Sequence, residues 1–174
     1  MIDPVQQPTE YQALLLAQVG DRDPADVYGG LPVRVRAVVA GAGDRLRVRP
    51  AEGEWSAVEV IGHIVDAELM VAGRLRWILA QDEPALLGYD QDQWVAGQRH
   101  ADADPEVLLA VMDALNPLNL GLWEGTSPEQ RARVGIHAER GPESFDLTFR
   151  MLAGHGLLHL EQMEHTLAAV SGSS

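Results

Sequence analysis

The chain contains no cysteine. Disulfide staples, thiolate zinc sites and a cysteine nucleophile are therefore excluded, and any metal chemistry has to run through histidine and carboxylate. Positive charge is scarce as well, with 13 Lys+Arg against 26 Asp+Glu and a formal charge of −13. Such a surface repels phosphate backbones and anionic lipid, so neither nucleic acid nor a membrane is an expected partner. The one arginine-rich stretch, Arg34, Arg36, Arg45, Arg47 and Arg49, alternates with Val and Leu as solvated positions beside a core do. No run of about 18 apolar residues occurs, and Met1-Ile2-Asp3-Pro4 lacks the basic and apolar blocks of a signal peptide, so a cytoplasmic location is expected. There is no Gly-rich phosphate loop and no Gly-x-Ser-x-Gly elbow, which leaves nucleotide binding and serine hydrolysis without support.

Alternating strand-like runs are nearly absent, while apolar periodicity near 3.6 dominates. The reading is an all-α bundle in one domain over 1–174, with about eight residues at the start and four at the end expected to fray. A first helix is expected over about 9–20, broken by Asp21-Arg22-Asp23-Pro24, and a second piece over about 32–40, the two making one broken layer. Ser56 and Glu59 make a capping box with Trp55 poised to staple onto Val60, so a long helix starts at Ser56 and runs to about Ala80. Residues 81–103 read as a long polar connection, of a length that suits a crossover between helices. Asp104 and Pro105 open the next helix, with Pro117 expected to kink or end it. A turn-rich stretch over 127–144 precedes a last helix running to Val170, with the tail from Ser171 frayed.

His155-Gly156-Leu157-Leu158-His159 carries the chemistry. Four residues on a helix rotate only about 40° past a full turn, so both imidazoles face one side and can reach one ion at about 2.0–2.1 Å. Glycine follows His155, so the His-Glu-x-x-His metalloprotease pattern is not met. His63 sits mid-helix among Val60, Ala67 and Met70, and three histidines on inward helix faces need a hydrogen bond or a metal to offset their desolvation. Asp66, three residues after His63, is a candidate to orient a metal water or act as a general base, against the plainer reading of a solvated helix carboxylate. Glu59 lies one turn before His63 but is explained by its capping role. Gln162 falls almost two turns after His155 and is a candidate support for the ligands, or else a bridge between helices. His100, His137 and His165 are read as structural or solvated, the four tryptophans as packing residues, and Tyr89 and Trp94 also as candidate pocket walls.

Glu54-Trp55-Ser56-Ala57-Val58-Glu59-Val60-Ile61-Gly62-His63 resembles the helix start of DinB/YfiT-like proteins, where Trp-Ser leads to a metal histidine. Ala153-Gly154-His155-Gly156-Leu157-Leu158-His159-Leu160-Glu161-Gln162 resembles that family's final helix, with a His-x-x-x-His followed by Gln. The resemblance spans about 31–170. It implies an up-down-down-up four-helix bundle, a three-histidine site on His63, His155 and His159 completed by water, a matching role for Gln162, and frequent homodimers. Family members often carry Asp where this chain has Gly156, which removes an acceptor that would orient a ligand ring.

Three imidazoles suit one divalent ion, with zinc, nickel and iron all compatible. An open fourth position favours a catalytic over a structural site, and a small-molecule substrate with it. The resemblance implies relatives among low-molecular-weight thiol transferases and isomerases, which ranks thiol-S-transferase chemistry first, and the missing cysteines would spare such a chain mixed disulfides with its thiol. Hydrolysis of a small amide or ester is the alternative, and a non-catalytic metal-binding bundle is the third class. A homodimer is expected partly from the resemblance and partly from the apolar residues Leu108, Val111 and Leu115.

Overall fold

The structure, a computed structural model, describes residues 6–171. In chain order it comprises α1 (Pro8–Val19), α2 (Pro24–Gly29), α3 (Leu31–Val39), α4 (Ala57–Ala80), β1 (Ala85–Leu86), α5 (Gln91–Gly97), α6 (Pro105–Glu124), α7 (Pro128–Arg131), β2 (Val134–His137), β3 (Gly141–Ser144) and α8 (Phe145–Ser171). Short 3-10 turns cover Gly43–Arg47 and His100–Asp102.

Two apolar clusters fix the helix directions. At one end of the bundle, Val58, Ile61 and Val65 from the first half of α4 meet Leu108, Leu109 and Met112 from the start of α6. Leu160, Met163, Leu167 and Val170 from the end of α8 join them, with Val35 of α3. At the other end, Leu75 and Ile78 of α4 meet Trp123 of α6, Phe145 and Phe149 of α8, and Val27 and Tyr28 of α2. Helices α4 and α6 therefore run in one direction, while α8 and the α2–α3 layer run in the other. The order is up-down-down-up, with the 81–103 segment as the crossover between the two parallel helices. Helix α1 lies outside this bundle against α8, burying Tyr11 and Leu15 against Met151.

The start of α4 is tied down as the Ser56/Glu59 pattern requires. Glu59 Oε2 accepts from the Ser56 N–H at 2.9 Å and from its hydroxyl at 2.7 Å. The Arg49 guanidinium grips the same carboxylate, so Glu59 is fully engaged and buried. Trp55 packs against the cluster that includes Val60.

Several expectations need correction. The Asp21–Pro24 break opens a further helix, because the Asp23 side chain accepts from the Ala25 N–H and Pro24 occupies the first helical position. Pro117 does not end α6, which continues to Glu124. The residues flanking it hold the helix: Asn116 Nδ2 donates to the Tyr28 carbonyl at 2.7 Å and Asn119 Nδ2 to the Tyr28 hydroxyl at 3.2 Å. The connections at 81–103 and 127–144 are not strand-free, since β1 pairs parallel with β2 and β2 antiparallel with β3. Ser171 belongs to α8 rather than to a frayed tail, its hydroxyl donating to the Leu167 carbonyl at 2.6 Å. The expected fraying of residues 1–5 and 172–174 lies outside the described residues. Leu108 is spent inside the bundle and Val111 packs against its core, so these two offer no spare apolar face.

Candidate metal centre

Antiparallel packing of α4 on α8 brings His63 opposite His155 and His159. Nε2 of His63 stands 3.0 Å from Nε2 of His155 and 3.2 Å from Nε2 of His159. One ligand atom from each of the three lies within 4.8 Å of the other two, and all three residues are buried. Two nitrogens bound at 2.0–2.1 Å to a tetrahedral ion would be about 3.4 Å apart, so the observed spacing needs only a small expansion to admit one. The Trp55 ring, with its centroid 4.9 Å from that of His63, packs against this imidazole.

Proton placement suits the same purpose. Gln162 Oε1 lies 2.7 Å from His159 Nδ1 and has only lone pairs to offer, so Nδ1 carries the proton and Nε2 presents a lone pair to the cluster. The ring nitrogens Nδ1 of His63 and His155 have no partner among the described residues. Burial, then the adjacent imidazoles, holds His63 and His155 well below the usual histidine range. Burial pulls His159 down to about 4 against a smaller opposing effect of Gln162. All three are neutral at pH 7, which is the form that binds a metal. Three desolvated imidazoles crowding their nitrogens together are costly unless a cation compensates them, and the donor set fits a borderline divalent ion.

Glycine at 156 has a packing cause. A Cβ there would stand 2.3 Å from Leu31 Cδ1, so Leu31 occupies the space that a carboxylate side chain would need. His155 accordingly gains no acceptor from its neighbour. At Gly154 the approach is closer still, with a Cβ placed 2.0 Å from the Leu15 carbonyl oxygen of α1.

Asp66 is buried rather than solvated. Its Oδ2 lies 2.8 Å from Nε2 of His100 and accepts from Nε2 of Gln98 at 3.0 Å. His100 can reach it because Gly62 leaves room: a Cβ at 62 would fall 2.4 Å from His100 Cγ. The pair thus pins the crossover to α4. His165 is exposed, as expected. His137 is buried instead and belongs to the wall of a cleft.

That cleft, about 740 Å³ counted to its open mouth, reaches the cluster from the side of His63 and His155. Leu15, Ala67, Val71, Met151 and Leu152 form its apolar wall. Tyr89 stands on it as expected, backed by Trp94 at 4.5 Å between ring centroids, while Trp94 itself is set behind. Burial pushes Tyr11 up to about 12 and raises Tyr89 further, so both are neutral hydroxyls. Arg74, His137 and Thr148 complete the polar side. The sequence reading missed these three, and the signal available for Arg74 was helical spacing, since His63, Ala67, Val71 and Arg74 follow one face of α4.

The chain is similar to known proteins. The chain is 27% identical over 122 residues to an Oceanobacillus iheyensis protein named "Putative metal-dependent hydrolase", covering 70% of each chain. A Geobacillus kaustophilus protein of the same name is 26% identical over 171 residues, covering 93% of each. Among solved structures, YfiT from Bacillus subtilis, described as "a probable metal-dependent hydrolase with an unusual four-helix bundle topology", superposes with a TM-score of 0.79 at 20% identity over 86% of each chain. Residues 32–163, which hold all three clustered histidines, match the DinB superfamily, and the chain belongs to that family.

Proposed function

We propose that His63, His155 and His159 hold one divalent ion through Nε2, and that the chain is a metal-dependent hydrolase of a small amide or ester. The observation that carries this is three buried, neutral imidazoles converging beside an open cleft, with no fourth protein ligand among the described residues. When bound, the ion supplies a Lewis acid for a carbonyl and an acidified water. Gln162 holds His159 in the ligating tautomer, and the apolar wall on α4 and α8 keeps bulk water from the substrate body. Glu59 is committed to Ser56 and Arg49 and takes no part. Asp66 enters the proposal as a positioning residue, because His100 and Gln98 take up its Oδ2 and it stands off the cleft wall.

We rank hydrolysis ahead of transfer from a low-molecular-weight thiol, a reading that the names of the relatives support. The thiol reading retains one observation, the absence of any cysteine that could trap such a cofactor as a mixed disulfide. Incubation of metal-loaded protein with a panel of small amides and esters, and separately with bacillithiol, mycothiol or glutathione plus an epoxide, separates the two. The proposal expects metal-dependent cleavage that disappears in His159→Ala. Conjugation without cleavage would reverse the order, and silence in both assays would return the protein to a non-catalytic metal-binding class.

A further inference from the structure

The polar side of the cleft holds donors that have no acceptor among the described residues. Arg74 is 6% exposed, yet its Nε has no hydrogen-bond partner among the described residues and its Nη2 is satisfied only by the Leu87 carbonyl. No carboxylate among the described residues is bonded to it, although Glu143 and Glu139 lie near enough to favour its charge. A buried guanidinium without a bonded counter-ion is expensive, and a small anion is what offsets that cost.

Two further groups face the same space. His137 Nδ1 accepts from the Glu139 backbone N–H at 3.2 Å, so the proton of the neutral ring resides on Nε2. That N–H is buried and has no acceptor among the described residues. Thr148 Oγ1 is likewise buried and unpartnered. All three residues line the cleft that ends at His63 and His155.

The charges select the kind of anion. Arg140, the other guanidinium on the wall, is paired with Glu143, and Glu139 is exposed to solvent. With Glu139 counted as well, the wall carries no excess of positive charge, so a dianion is disfavoured and the open donors of Arg74, His137 and Thr148 suit a monoanion.

We infer that Arg74, His137 and Thr148 form a subsite for a carboxylate, so that the chain takes substrates with a carboxylate at one end, an apolar body and the reacting group at the metal. This rests on the hydrolase reading for the reacting end alone. Eleven residues of α4 separate His63 from Arg74 and seven of α8 separate Thr148 from His155, rises of about 16 and 10 Å. Side chains on a helix lean towards its N-terminus, which brings the Arg74 head back towards His63. The carboxylate and the reacting group are accordingly about 10 Å apart.

Calorimetric titration of hexanoate and of hexanamide into the protein as purified tests the subsite without any catalysis, and the Arg74→Gln arm separates the subsite from carboxylate binding at the histidine cluster. The expected result is saturable hexanoate binding, hexanamide at least tenfold weaker, and at least a tenfold loss for hexanoate in Arg74→Gln with an unchanged circular dichroism spectrum. His137→Phe, read the same way, serves if Arg74→Gln does not fold. Equal binding of the two probes, hexanoate affinity unmoved by the substitution, or no saturable binding would overturn the subsite. Failure of the metal or hydrolase reading would leave these titrations unchanged, so the two can be told apart.

Discussion

His159 and Gln162, one turn apart on α8, are joined by a 2.7 Å hydrogen bond that fixes which nitrogen of the imidazole faces His63 and His155. Outer partners of this kind are worth about 10–100-fold in metal affinity when removed. Gln162→Leu should therefore weaken metal binding by that factor in a chelator competition, while Gln162→Glu, which keeps the acceptor, should stay near wild type. Equal affinity in all three proteins would remove Gln162 from the site.

The glycines of the final helix give a contrast in stability. At Gly156 the obstructing atom is the end of the Leu31 side chain, which can turn away, whereas at Gly154 it is the Leu15 carbonyl of the α1 backbone. Gly156→Asp should cost about 1–3 kcal/mol in urea denaturation, with part of the loss recovered by Leu31→Ala. Gly154→Ala should cost more and be insensitive to Leu31→Ala. Additive behaviour of the Gly156→Asp and Leu31→Ala pair would contradict the packing account.

Glu68 is 1% exposed with neither oxygen partnered among the described residues, and burial pushes its carboxyl up to about 8. The native state then keeps a proton that the unfolded chain releases above about 4.5, so this contribution is full below that pH and is lost as pH rises through about 8. His159 acts in the opposite sense: its stability is present above 6.5 and is lost as pH falls towards about 4. Above 6.5 the Glu68 slope is left unopposed by His159. In metal-free protein, Glu68→Gln should gain about 4 kcal/mol at pH 8 relative to its effect at pH 4.5. A difference that does not change with pH would contradict the assignment.

The clustering of the three histidines was legible in the sequence because two of them share a helix face by spacing and the third follows a self-announcing helix start at Ser56. What escaped was carried by contacts between distant segments. His137 sits on a strand of four residues whose only local sign is the turn around Gly141, at a φ of 76°. His100 is buried by its fit onto Gly62, and a mid-helix glycine marks a close approach without naming the residue that approaches. Pro117 misled for a related reason, since the ties from Asn116 and Asn119 to Tyr28 span about 90 residues and override a local breaker.

Dimerisation, proposed on family grounds, has to use other residues than Leu108. Val107 and Leu118 on α6 are 59% and 57% exposed and Leu69 on α4 is 49% exposed, and these supply apolar surface outside the bundle. Light scattering at micromolar concentration should give twice the 18.9 kDa chain mass. A mass of one chain would rule the dimer out.

His63, His155 and His159 are proposed to bind one ion together. Elemental analysis of the purified protein beside a His155→Ala/His159→Ala variant measures it directly. About one zinc, nickel or iron per chain is expected in the parent and close to none in the variant. Equal metal content in the two proteins would contradict it.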